Sequence, residues 1–276
     1  MLLNNYFNIK RFGLLLKQDL LINRTKYLLG ILGLGLVTYL LSYWFLSSSK
    51  NSIINNLNSI YNHYMVCFTF YMMAVGVIVG TAFPDLTDKI KTANYLLSPG
   101  STFEKYLVQF LLRIGLFVPI ALGIFWIAIR LAKASLIPEM INRNQFFEPA
   151  VVPYFEFRLL VTIEDKLWDT WQILFLIFGL FSYGTYLFAG ATFFKKYALI
   201  KSVIVSVCLL VSGILLSVLL SHILYPLETH GFEIHFDRFR ITESFDSTQF
   251  FILYLSLLSW IFFLFLAYFK LKEKEA

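Results

Sequence analysis

Six long apolar runs decide what this chain can fold into. They lie at about 28–46, 64–83, 107–131, 172–194, 199–221 and 250–269. Each is close to the roughly 20 residues that a helix needs to cross a hydrocarbon layer. A backbone N–H or C=O in lipid finds no water partner, so a run this apolar must close its hydrogen bonds within itself, as a helix. Composition agrees. Hydrophobic residues make up 58% of the chain and charged residues 14%, against roughly 25% charged in soluble domains. The expected class is an all-α integral membrane protein with six transmembrane helices. The whole of 1–276 is read as one transmembrane domain.

The charges sort along this frame. If the N-terminus is inside, 14 of the 23 Lys and Arg residues fall on the inner side and 8 on the outer, with Arg113 inside the third span. Short basic loops mark the cytoplasmic face. Both termini are therefore expected there, along with the segment 84–106. The net charge of +6 is read as a topology signal, and no nucleic-acid partner is expected. Tyr43, Trp44, Trp168 and Trp171 at outer edges and Tyr106, Tyr197 and Tyr268 at inner ones fit the aromatic belts. A cleaved secretory leader is disfavoured because the first apolar run exceeds the usual 7–15 residues or so.

Before the first span, residues 5–26 place Ile9, Phe12, Leu16 and Leu20 at helical spacing, with Lys10, Arg11 and Lys17 on other faces. That pattern predicts an amphipathic helix lying in the interface, with Phe12, Leu16 and Lys17 as its interfacial residues. A plain basic flank that orients the first span is the other reading.

Between spans two and three lies a short polar loop. Ser98-Pro99-Gly100 is a turn signal, with Gly100 expected at positive φ. Ser101-Thr102-Phe103-Glu104 fits a capping box, so a helix should start at about Ser101. Asp85 to Leu97 predicts a short helix ahead of the turn. Helix, turn and capped helix together would make a firm handle at the membrane surface; an ordinary connector is the alternative.

Several chemistries are disfavoured. The chain carries no G-x-x-x-x-G-K-[ST] phosphate loop, no G-x-S-x-G and no H-E-x-x-H. No Asp or Glu falls within a span, which argues against a proton relay at membrane depth. Arg113 sits about two turns from the inner end of its span. It is expected to snorkel to the headgroups, with an anion-binding role as the alternative. His222, His230, Glu233, His235 and Asp237 crowd one outer segment, but their spacing fits no tight metal motif. Cys67 and Cys208 lie in apolar runs and read as core thiols. Gly76-Val-Ile-Val-Gly80 is a small-xxx-small pattern for close helix packing, more readily within the chain than between chains. Pro119 should kink the third span. Neither outer loop, 132–171 or 222–249, is long enough for a catalytic domain.

Taken together, the helix Asn5 to Ile22, the segment Tyr95-Leu-Leu-Ser-Pro-Gly-Ser-Thr-Phe-Glu-Lys105, the tight hairpin of spans four and five, and the outer segment 222–249 resemble the membrane subunit of a type-2 ABC transporter, an exporter-like permease with six spans. The long outer loop 132–171 departs from that pattern. The resemblance implies a membrane permease without catalytic residues or bound cofactor of its own. ATP and Mg would be held by a separate soluble ATP-binding subunit. That subunit would dock on a coupling helix formed by Tyr95, Leu96, Leu97, Ser98, Pro99, Gly100, Ser101, Phe103 and Glu104. A second permease chain and membrane lipid would be the other partners, in a bacterial inner membrane. The alternative is a structural or regulatory membrane subunit of a larger envelope complex. A third reading, an intramembrane enzyme, would rest only on the histidines.

Overall fold

A computed structural model describes residues 7–48, 58–87, 89–143, 155, 170–194, 196–224, 240–242 and 245–275. Its helices are α1 (Ile9–Ser48), α2 (Asn58–Val79), α3 (Lys89–Leu97), α4 (Thr102–Phe110), α5 (Phe117–Arg143), α6 (Thr170–Phe193), α7 (Ala198–Leu224) and α8 (Ser247–Glu275). A 3-10 turn, Pro84–Thr87, precedes α3, and a π-turn, Leu111–Leu116, joins α4 to α5. Two short antiparallel strands, β1 (Arg240–Thr242) and β2 (Phe245–Asp246), pair just ahead of α8.

Among the described residues, five helices are long and apolar enough to cross a membrane: Ile9–Ser48, Thr102–Pro138, Leu176–Phe193, Ala198–Leu220 and Leu253–Lys274. The chain is a multi-pass helical membrane protein. The second expected span is α2, whose described apolar part, His63–Val79, has 17 residues. That is about 25 Å at 1.5 Å per residue. Large apolar side chains stand exposed along α1 and α7, including Leu29, Leu32, Leu36, Leu209, Leu210, Ile214 and Leu215. A soluble surface keeps apolar patches small; here a bilayer would cover them.

Three expectations about boundaries change. First, no break separates an interfacial helix from the first span. α1 is one helix of 40 residues, about 60 Å long. A polar staple runs across the expected joint. Asn23 Nδ2 donates to Asp19 Oδ1 at 3.2 Å, Lys26 Nζ to Asn23 Oδ1 at 3.2 Å, and the Tyr27 hydroxyl to Asp19 Oδ2 at 2.7 Å. With no proline there and these pairs on neighbouring turns, the helix has no reason to stop. Second, the segment from Asp85 to Leu97 divides into the 3-10 turn and α3. Third, the third span continues to Arg143 with Pro138 inside it, so the start of the 132–171 loop is helical. Near Pro119 the chain adopts the π-turn just upstream. Proline at 119 cannot donate to Gly115, and a π-turn is one way a helix absorbs such a gap in its ladder.

The bundle is organised around α6, which packs on α2, α7 and α8, while α1 packs chiefly on α5. Close approach depends on small residues. A Cβ at Gly76 would meet the Tyr183 ring at 3.3 Å and the Gly184 Cα at 3.6 Å, and one at Gly80 would meet the Leu187 Cβ at 2.9 Å. The Gly76/Gly80 pattern is thus a seam between α2 and α6 within the chain. α7 meets α6 at its base, where Ser202 is fully buried and the Tyr186 hydroxyl donates to Ser202 O at 2.9 Å. An aromatic core fills the other end of the bundle. Phe155 sits edge-on between Tyr64 (5.6 Å) and Phe125 (5.1 Å), and the Tyr71 hydroxyl donates to Ala121 O at 2.5 Å.

The tightest joint gives a prediction. A Cβ at Gly190 would stand 2.0 Å from Ser202 Oγ and 2.9 Å from its Cβ, so Gly190→Ala must push α6 and α7 apart. Overpacking of this kind costs about 1–3 kcal/mol. Thermal unfolding of the purified protein should show the loss, and Ser202→Gly in the same chain should restore most of it.

Candidate functional site

The polar turn between α3 and α4 is built by short-range signals. Ser98 ends α3, its Oγ donating to Tyr95 O at 2.6 Å, and Pro99 follows, which disfavours helical backbone at the residue before it. Ser101 then caps α4. Its side chain accepts from the Glu104 N–H at 3.2 Å, and its own N–H donates to Glu104 Oε2 at 3.0 Å. The expected capping box is present.

Glu104 does more than close that box. Its side chain is fully buried and reaches across to α1. Arg11 grips it with two bonds, Nε to Oε2 at 2.6 Å and Nη2 to Oε1 at 2.8 Å. The Asn8 backbone N–H donates to Oε1 at 2.6 Å. Asn8 is itself the cap of α1, its Oδ1 accepting from the N–H groups of Lys10 (3.0 Å) and Arg11 (3.5 Å). One carboxylate therefore sits at the N-terminal ends of two helices, where both dipoles favour negative charge, and is paired with a planar fork. Nothing in the sequence spacing pairs Asn8 or Arg11 with the turn. The available signal was local: Asn followed three residues later by Arg, at the start of an apolar-periodic run.

The expected coupling residues divide into two groups. Glu104 is fully buried, Ser101 and Ser98 hold the turn, and Tyr95 is half-buried beneath the Lys105 ammonium, 5.7 Å from its ring centroid. Gly100 does not take a positive φ. It is small because a Cβ there would stand 2.8 Å from Leu15 Cδ1 on α1. The outward group is Leu97, 83% exposed, with Pro99 and Phe103. Leu96 lies in the last turn of α3. Of the three residues expected on an interfacial helix, Lys17 is exposed and Phe12 and Leu16 are half-buried, Phe12 lying 5.8 Å from Phe7. Phe7 in turn meets Phe103 at 6.3 Å. The Gly76/Gly80 seam lies on α2 and forms no part of this turn.

The far side of α4 is fixed to the bundle by aromatic rings. Tyr106 packs edge-on against Phe188 of α6 (6.0 Å) and Tyr268 of α8 (5.5 Å), and its hydroxyl donates to Leu264 O at 3.0 Å. Phe103 also meets Tyr268, at 6.0 Å. Phe83, at φ 55° where α2 ends, packs tilted against Phe188, 5.3 Å between ring centroids. The turn is thus tied to α1 on one side and to α6 and α8 on the other.

Arg113 turns inward rather than to the headgroups. It is 9% exposed, its Nη2 reaches Thr81 O at 3.4 Å, and its guanidinium lies 5.1 Å over the Tyr27 ring. Thr81, in the hydrogen-bonded turn that follows α2, and Tyr27 on α1 supply a carbonyl and a ring face that sequence spacing does not reveal. Among the described residues no group of His, Cys, Asp and Glu is placed to hold a metal. His230, Glu233, His235 and Asp237 lie outside the described residues, as does most of 144–169.

No family model, no curated protein and no solved structure matches this chain.

The Glu104 clamp makes a specific prediction. Glu104→Ala leaves the N–H groups of Asn8 and Ser101 without their acceptor, so hydrogen exchange at both amides should quicken by at least tenfold. Ser101→Ala removes only the cap on α4, a loss of about 1 kcal/mol, and should quicken exchange at Glu104 while leaving Asn8 protected.

Proposed function

We propose that this chain is the membrane-spanning subunit of a transporter of the type-2 ABC kind, moving its cargo with energy from a separate soluble ATP-binding subunit. In this reading all six apolar helices span a bacterial inner membrane, both termini and the α3–α4 turn face the cytoplasm, and a second permease chain completes the transporter. The observation that carries it is the build of the turn. Leu97, Pro99 and Phe103 form a small apolar outward face on a support that cannot flex independently of α1, α6 and α8. A partner pressing on that face would displace three helices together. A loop held only by its ends would absorb the same push as local motion. The short cytoplasmic segments carry an excess of Lys and Arg, in keeping with this orientation. The phosphate-loop chemistry that the chain lacks is the part assigned to the partner.

The test is co-purification from the native membrane, followed by ATP hydrolysis. Leu97→Asp alters the outward face and leaves Glu104, Arg11, Ser101 and the ring contacts of Phe103 intact. The substitution should lower recovery of a P-loop subunit, and the hydrolysis that comes with it, at least tenfold. The chain's amount in the membrane should not change. Undiminished recovery, or large partners without an ATPase, would instead favour a structural subunit of an envelope complex.

A further inference from the structure

A second polar feature lies further along the same flank of α1, and its lining includes none of Asn8, Arg11 and Glu104. Between α1, the 3-10 turn, α3 and α4 opens a cleft of about 460 Å³. Its polar wall carries Asp19, Asn23 and Lys26 from α1, Asp85 from the 3-10 turn, and Lys105 and Gln109 from α4. Among the described residues the lining holds two lysines and two carboxylates, and so both signs in equal number. Its depth follows from α1: every charged residue of that helix lies at or before Lys26, and none from Tyr27 to Ser48. The helix leaves the headgroup zone at about Tyr27, and the cleft sits at headgroup level beside it.

One atom in this wall points to a ligand. Gln109 is 3% exposed and donates through Nε2 to Asp19 Oδ1 at 3.2 Å, but its buried Oε1 accepts from nothing. A buried acceptor left unmade is expensive, and the missing partner must be an N–H or O–H donor. Asp19 beside it takes three donors, from Asn23, Tyr27 and Gln109, and a carboxylate has room for about four. The Lys26 ammonium, bonded to Asn23 Oδ1 at 3.2 Å, and that of Lys105 offer the opposite sign. An occupant that matches the cleft has an N–H cation at one end, a phosphate at the other and no net charge.

We propose that this cleft binds the phosphoethanolamine headgroup of a membrane phospholipid. The primary ammonium donates to Gln109 Oε1 next to Asp19, and the phosphate lies against Lys26 and Lys105. Exposed Ile22 on α1 gives the acyl chains an apolar edge beside the cleft. A choline headgroup carries the same charges but has no N–H to give Gln109. A phosphoglycerol headgroup adds net negative charge and brings no cation for the Asp19 side. The inference does not rest on the transport reading.

The test is native mass spectrometry of the full chain purified in mixed micelles holding phosphatidylethanolamine, phosphatidylcholine or phosphatidylglycerol of identical acyl chains. Ethanolamine lipid should be retained at least fivefold more than either of the others. Gln109→Leu should lower its retention to the choline level, and Lys26→Met, at an exposed position, should lower retention of ethanolamine and choline lipids alike, with thermal unfolding in the absence of ethanolamine lipid reporting that each variant is folded. Equal retention of ethanolamine and choline lipids overturns the proposal, as does a preference that survives Gln109→Leu. Displacement by soluble glycerophosphoethanolamine at concentrations comparable to the lipid would overturn the lipid assignment in favour of a free organophosphate.

Discussion

The carboxylate of Glu104 holds together elements that are far apart in sequence. It closes the cap of α4, receives the amide of Asn8, the cap of α1, and binds Arg11 through both oxygens, all while fully buried. A buried carboxylate is tolerated only where its lone pairs are filled, and here four N–H donors from three residues fill them. Removing any donor leaves the others facing a partly unsatisfied charge. The arrangement therefore couples the start of α1, the turn and the start of α4 through one carboxylate. Gly100 leaves room for Leu15 of α1 against the turn, since a Cβ there would stand 2.8 Å from Leu15 Cδ1 and force that side chain to turn aside.

Lipid sets the second constraint. Outside water, association of apolar helices depends on fit and on polar bonds between them. The bundle uses both. Glycines at 76, 80 and 190 let α6 approach α2 and α7. Ser182 and Ser259 share a hydrogen bond at 2.6 Å between α6 and α8, and Tyr39 and Ser135 one at 3.0 Å between α1 and α5. Rings then wedge the two ends, Tyr106 with Tyr268 and Phe188 at one, Phe125 with Phe155 at the other. The charged groups collect at the level of the turn, where Asp19, Lys26, Lys105 and Arg113 meet amides, carbonyls and ring faces instead of hydrocarbon.

Much of this was legible in the chain. Apolar runs located the helices, because length and hydropathy are local properties. The capping box at Ser101 and Glu104 and the seam at Gly76 and Gly80 were readable for the same reason. What sequence could not supply was pairing between distant segments. Arg11 and Glu104 are 93 positions apart, and no periodicity joins them. Glu104 read as part of an outward contact face because the capping box says nothing about the side of the turn that α1 covers. Arg113 read as a snorkelling cation because Thr81 O and the Tyr27 ring lie on other helices. The unbroken α1 was hidden because polar residues after Leu20 imitate a boundary, whereas in the fold Asp19, Asn23, Lys26 and Tyr27 bond along the helix and carry it through.

The claim on which the rest depends is that Glu104 locks α1 to the turn. Spin labels at Leu14 on α1 and Ala93 on α3, both exposed, in a chain whose Cys67 and Cys208 are replaced, report that distance directly by pulsed electron resonance. One narrow distance distribution is expected in an otherwise native chain and a broad one when Glu104→Ala is added. A distribution already broad with Glu104 in place, or one left narrow without it, would contradict the claim.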